Sequence, residues 1–140
     1  MTQIRLISNS PHETERAAAD LAVRLEPGDV VLVSGELGAG KTTFVRGASR
    51  ALGVTGAVTS PTYTVGQIYA GANGREVAHL DLYRLDSLEG EDPALLDDYL
   101  TPVRIGFVEW PAAGEARIER VVARVRIEHA GGDKRLIEVR

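Results

Sequence analysis

Hydrophobic positions recur along the chain with two different periods, and their order sketches the fold. Residues Gln3 to Ile7 alternate between apolar and polar side chains, the period of a short strand. The stretch SPHE, Ser10 to Glu13, holds the signals of a helix start. Ser10 can cap, Pro11 is shaped for the first turn, and Glu13 can close a capping box. Ala17, Leu21 and Leu25 follow at four-residue spacing, which predicts a helix with that apolar face. EPGD, Glu26 to Asp29, reads as a turn. Val30 to Val33 is a continuous run rich in β-branched residues, as expected of a strand buried on both faces of a sheet.

A glycine-rich loop comes next, and KTTFVRGASRAL after it reads as a helix closed by Gly53. The alternating stretch SPTYTVGQIYAGANGREVAHLDLYRL is split by GANG, Gly71 to Gly74, and predicts a β-hairpin. Residues 86 to 100 are acidic, and Asp92 with Pro93 opens a predicted short helix. RIGFVEWP, Arg104 to Pro111, is a second buried strand stopped by proline. The tail, Val121 to Val139, reads as two strands around AGGDK. Strands alternate with helices early and pair as hairpins late, which predicts an α/β fold with a mixed β-sheet flanked by helices.

Composition narrows the function classes. A length of 140 residues predicts one domain spanning 1–140. The chain has no cysteine, which excludes disulfides, thiolate zinc sites and thiol nucleophiles. The N-terminal stretch carries Arg5, Glu13, Glu15 and Arg16 and lacks the apolar core of a signal peptide. Its apolar runs are also too short to span a membrane, so the expected compartment is the cytoplasm. The formal net charge is −4. A domain that grips nucleic acid directly usually carries a basic excess, so direct nucleic-acid binding is not expected.

The chemistry begins at GELGAGKTTF, Gly35 to Phe44. Gly35, Gly40, Lys41 and Thr42 match G-x-x-x-x-G-K-[ST], a phosphate-binding loop. Glycines let the backbone turn and approach oxygens without a Cβ in the way. Gly38, Ala39, Gly40, Lys41, Thr42 and Thr43 are then the expected nucleotide-binding residues. Their N–H groups would face one anion, reinforced by the positive end of the following helix. Lys41 supplies a point charge for the terminal phosphates, and the Thr42 hydroxyl a ligand for Mg²⁺. A plain glycine-rich turn is the competing reading. The strand before the loop and the helix after it are the setting the phosphate reading requires.

Such a loop needs a second metal-side ligand and a group to place the attacking nucleophile. Asp81, in AHLDLYRL, and Glu109, in IGFVEWP, each close an apolar strand. Ligands of open α/β sheets gather at the carboxyl ends of strands. The pair can hold Mg²⁺ directly or through water and polarise a water molecule; the alternative is a solvated strand end. Thr62, in TSPTYT, can turn its hydroxyl or carbonyl toward Mg²⁺ as a switch-loop threonine does, or simply line a polar loop. The three histidines make no metal cluster. His79 lies two residues from Asp81 on one strand face, with a structural role expected. Trp110, the single tryptophan, is expected to pack in support of Glu109.

The segments GELGAGKTTFVRG, TSPTYTV, HLDLYRL and FVEWP, in this order and at these intervals, resemble the TsaE (YjeE) family of bacterial P-loop ATPases. The resemblance runs from about Val30 to Pro111. It implies an ATP- and Mg²⁺-dependent protein needed to make threonylcarbamoyladenosine in tRNA, hydrolysing ATP in association with the TsaD–TsaB complex. It also implies roles for particular residues. Lys41 is the phosphate lysine, Thr42 the Mg²⁺ hydroxyl and Thr62 the switch threonine. Asp81 is an acid of the active site, and Glu109 the Walker-B-like acid near Mg²⁺ and water. Lys134 or Arg135 is a further nucleotide contact by the same resemblance. Two stretches depart from the family pattern. DSLEGEDPALLDDYL has its proline displaced, and AAGEARIERVVARV lacks the usual leucine–proline.

The main alternative is a small-molecule kinase. Such enzymes usually close a lid carrying several arginines over the transferring phosphoryl group. Residues 85 to 103 contain no Arg or Lys, which counts against it. A GTP switch would carry an N-K-x-D-like element, and neither Asn9 nor Asn73 begins one. A nucleotide-binding scaffold without turnover is the remaining alternative.

Overall fold

In the computed structural model, residues 3–36, 38–59, 65–82, 94–111 and 118–140 are described. Seven strands form one mixed sheet: β1 (Ile4–Ser8), β2 (Val30–Gly35), β3 (Gly66–Ala70), β4 (Glu76–Asp81), β5 (Arg104–Glu109), β6 (Val121–His129) and β7 (Arg135–Val139). Their order across the sheet is β1-β7-β6-β2-β5-β4-β3. The centre is parallel, with β6, β2, β5 and β4 running the same way. Both margins are antiparallel hairpins or their extensions, β3 on β4 and β1 on β7 on β6. The α/β fold with a mixed sheet is therefore as the hydrophobic pattern predicts.

The sheet's parallel centre explains the unbroken apolar runs. Val31, Val33 and Phe107 face one core, while Val30, Leu32 and Val108 face another. The first core is closed by helices α1 (Pro11–Ala22) and α2 (Lys41–Ala51), through Ala18, Ala22, Phe44, Val45 and Ala48. The second is closed by Leu96, with Leu95, Tyr99 and Leu100 packed against it. Residues 94–99 form turns that include helix-like bonds from the Asp98 N–H to the Ala94 carbonyl and from the Leu100 N–H to the Leu96 carbonyl. The predicted start of that short helix, Asp92 and Pro93, lies outside the described residues.

Helix α1 starts as its sequence dictates. Ser10 is the cap, and its hydroxyl accepts from the Glu13 N–H at 3.2 Å. Glu13 reaches back to accept from the Asn9 N–H at 2.9 Å. The buried stripe is wider than the predicted one: Leu25 is buried just beyond the helix and Ala17 and Leu21 are half-buried against the core, while Thr14, Ala18 and Ala22 are buried beside them. The reason is the neighbour. A Cβ added at Gly47 of α2 would collide with the backbone of Glu15, so the two helices touch backbone to backbone there. Only small side chains fit along such a seam.

The β3–β4 hairpin turns where GANG predicts, through Ala72–Gly74, with Asn73 in the left-handed region at φ 58°. Its tip is fixed to the end of α2: the Ala72 N–H donates to the Leu52 carbonyl at 3.0 Å. Thus α2 has its first turn at one edge of the sheet and its last turn tied to the hairpin.

Candidate functional site

Parallel register brings the predicted residues to one edge. Val33 pairs with Glu109, and Glu109 pairs with Asp81, so β2, β5 and β4 end side by side. Residues paired across a parallel ladder project to the same face. Glu109 and Asp81 therefore share the face occupied by Phe107 and Val77, the one covered by the helices. β2 ends at Gly35, whose φ of 145° suits glycine, and a Cβ there would run into the Ile127 carbonyl.

Helix α2 begins differently from α1. Its cap is Gly40, left-handed at φ 106° and ψ 23°, with no side-chain hydrogen bond to the first turn. The first intrahelical bond of this turn runs from the Phe44 N–H to the Gly40 carbonyl at 2.9 Å. The N–H groups of Lys41, Thr42 and Thr43 thus open onto the loop at the positive end of the helix. At both Gly38 and Gly40 a Cβ would meet nothing within 4 Å, so the loop leaves open space above its amides. A cavity of about 290 Å³ lies there. It is lined by Gly38, Gly40, Lys41, Thr42 and Thr43 on one side, and by Asp81, Glu109 and Trp110 on the other. Backbone amides, a lysine and open space form a cradle that fits a phosphate chain.

Lys41 sits at the centre of the charge distribution. It is only 5% exposed, and its Nζ donates to the carbonyls of Gly35 at 2.9 Å and Glu36 at 2.8 Å. Burial holds its pKa below the ordinary lysine value, opposed by the negative charges of Glu109, Asp81 and Glu36. The Trp110 ring lies over the ammonium, with Nζ 4.2 Å from its centroid. Trp110 is half-buried and follows Glu109 with a left-handed φ of 55°, the kind of backbone strain that concentrates at functional sites. Its ring engages Lys41 as well as lining the cavity beside Glu109.

Glu109 is 2% exposed and accepts two hydrogen bonds, both at Oε2. One comes from the Thr42 hydroxyl at 3.4 Å, the other from His79 Nε2 at 2.5 Å. Thr42, Glu109 and Asp81 supply oxygen donors only, the set a hard cation such as Mg²⁺ prefers. Among the described residues there is no cluster of three or more His, Cys, Asp or Glu able to hold a metal unaided, so phosphate or water oxygens would complete any such ion's shell.

Ala39 is fully buried, and its side chain belongs to the core; only its backbone faces the loop. Its carbonyl accepts from Arg135 Nε at 2.9 Å, so the start of β7 braces the glycine-rich loop. Lys134 is exposed in the turn before it. Thr62 lies outside the described residues. Three contacts are not foreseeable from the linear chain: Lys41 with Trp110, Arg135 with Ala39, and His79 with Glu109. The only sequence signal for the last is a histidine in an otherwise apolar strand end.

A second cavity, of about 300 Å³, lies at the opposite ends of the strands, bounded by Gly28, Leu100 and Arg120. It is remote from the loop and the acids.

Comparison with known proteins agrees with this geometry. The chain matches the family described as "Threonylcarbamoyl adenosine biosynthesis protein TsaE" over residues 8–137. It is 36% identical over 137 residues to the tRNA threonylcarbamoyladenosine biosynthesis protein TsaE of Bacillus subtilis, covering 98% of this chain and 85% of that one. It is 42% identical over 117 residues to the Streptomyces coelicolor protein of the same name, covering 81% and 77%. The crystal structure of Bacillus subtilis YdiB superposes with a TM-score of 0.80 at 32% identity, over 99% of this chain and 84% of that one. Matches over nearly the whole chain mean that the chain belongs to the TsaE family of threonylcarbamoyladenosine biosynthesis proteins.

Proposed function

We propose that this chain binds and hydrolyses ATP with Mg²⁺, as a cytoplasmic subunit required for threonylcarbamoyladenosine modification of tRNA that acts on the TsaD–TsaB complex. One observation carries the reading: α2 opens without a side-chain cap at the same sheet edge where Glu109 and Asp81 end side by side. At α1, by contrast, the Ser10 hydroxyl occupies a first-turn amide of the kind that α2 leaves open.

The geometry supports a division of labour among the described residues, and the family resemblance adds Thr62 to it. Amides of the loop and of the first turn of α2, from Gly38 to Thr43, hold the phosphates. Lys41 turns its ammonium from the Gly35 and Glu36 carbonyls toward the terminal phosphates. The Thr42 hydroxyl and the acids Glu109 and Asp81 hold Mg²⁺, directly or through water. When bound, Mg²⁺ neutralises phosphate charge and orients the phosphate oxygens. The acid pair orients the attacking water, and Thr62 acts as the switch threonine. Water adds to the γ-phosphorus as the bond to the bridging oxygen breaks, giving ADP and inorganic phosphate. The acidic net charge supports a role in which partners, rather than this chain, hold the RNA.

Phosphate release measured with and without the TsaD–TsaB complex tests the proposal. The expected result is hydrolysis that rises when the complex is added. ADP formed only with a small acceptor, with the phosphoryl group on that acceptor and no inorganic phosphate released, would instead make the chain a kinase. Tight ATP binding without release under either condition would make it a scaffold.

A further inference from the structure

His79 is fully buried in β4, and such a polar ring needs partners for both nitrogens. Nε2 donates to Glu109 Oε2 at 2.5 Å, and Nδ1 shares a hydrogen bond with the Tyr69 hydroxyl at 3.2 Å. That hydroxyl also lies 2.7 Å from Gln67 Oε1 and 3.3 Å from the Thr59 carbonyl. The ring is thus clamped on both sides, by β3 behind it and by β5 in front. A continuous polar chain runs from Tyr69 through His79 to Glu109 and Thr42.

A glutamate side chain has three rotatable bonds, so an acid that must present one oxygen to a cavity needs its other oxygen fixed. Among the described residues, both hydrogen-bond partners of Glu109 engage Oε2. Glu109 itself lines the cavity. The Thr42 contact is long, at 3.4 Å, so the imidazole is the stronger of the two restraints. An imidazole that served only to fill the core would be more cheaply replaced by an apolar side chain, since its burial costs desolvation.

We propose that His79 is a positioning residue: it fixes the carboxylate of Glu109 from behind, and Tyr69 fixes the imidazole in turn. The inference rests on the reading of Glu109 as an acid of ATP hydrolysis, and it extends that site to two residues on β3 and β4. The test uses the full chain with four measurements: folded fraction, ATP affinity, turnover, and the ¹⁵N–¹H spectrum of the histidine side chains. His79→Leu is expected to bind ATP within about threefold of the parent while turnover per folded molecule falls about 10- to 100-fold, the usual effect of removing a group that orients a metal-side ligand. His79→Gln, which keeps a side-chain N–H at a similar reach, is expected to recover part of that loss. Tyr69→Phe is expected to lower turnover a few-fold with KM unchanged.

If His79→Leu does not fold, His79→Gln and Tyr69→Phe carry the kinetic arm. In the parent without nucleotide, a slowly exchanging Nε2–H signal from His79 is expected, and it should be lost in Glu109→Ala. Turnover per folded molecule that is equal in the parent and the foldable variants would overturn the proposal, as would absence of that signal. A parent that binds ATP and hydrolyses none would refute the functional reading instead, and the Nε2–H signal would then decide the contact alone.

Discussion

Gly47 offers a sharp test of how the helix that follows the glycine-rich loop is held. It lies inside α2, where glycine is a poor helix former, and on propensity alone Gly47→Ala should stabilise by about 1 kcal/mol. The structure predicts the opposite sign. An added Cβ would collide with the Cα and carbonyl of Glu15, backbone atoms of α1 that cannot rotate away as a side-chain tip does. The helices must separate, and Ala18, Ala22 and Ala48 lose contact along the same core. Overpacking of this kind costs about 1–3 kcal/mol, and here the collision is with backbone, so about 3 kcal/mol is the better figure. Set against the propensity gain, a net destabilisation of about 2 kcal/mol remains. For a chain of this size that lowers Tm by roughly 5–8 °C. Thermal unfolding followed by circular dichroism, with urea unfolding as a check on the slope, measures it. A Tm equal to or above that of the parent would refute the close crossing of α1 and α2.

Other outcomes follow from the same geometry. Ser10→Ala removes the cap of α1 and should cost about 1 kcal/mol in urea unfolding, with ATP affinity unchanged. Lys41→Ala should weaken ATP binding by about 2–5 kcal/mol, roughly 30-fold to several-thousand-fold, in a calorimetric titration. Tyr69 has its pKa raised, first by burial and further by the charge of Glu109. In a phenolate absorbance titration Tyr69 should therefore ionise above the usual value of about 10, and Tyr69→Phe should delete that late step. Because the folded pKa lies above the unfolded one, the stability this group contributes is complete below about pH 10 and is lost as pH rises through the raised value. Tyr69→Phe should flatten that alkaline loss.

Much of the site is legible in the chain because its chemistry is local. The glycines, Lys41 and Thr42 are contiguous, and a strand before them with a helix behind fixes what they can do. Asp81 and Glu109 announce themselves as acids at the ends of apolar runs. Their convergence depends on β5 lying between β2 and β4, an insertion that no local pattern encodes. The same insertion sets His79 behind Glu109 rather than merely beside Asp81 in sequence. The stripe of α1 is widened for a related reason. Four-residue spacing picks out Ala17–Leu21–Leu25, all of which pack on the core, but only the approach of Gly47 from another helix makes the row of Thr14, Ala18 and Ala22 its centre. Arg135 on the loop carbonyl of Ala39 is likewise a contact between distant segments, visible once β7 lies along β6.

The central claim is that the loop clasps a triphosphate while Glu109 serves the hydrolytic step. Parallel measurement of ATP affinity and phosphate release in Glu109→Ala and the parent, both with Mg²⁺ and the TsaD–TsaB complex, tests it most directly. The account predicts that the variant still binds ATP while its release rate falls by two orders of magnitude or so, the scale on which preorganised charge acts in such sites. Release by Glu109→Ala at the parent rate would contradict it.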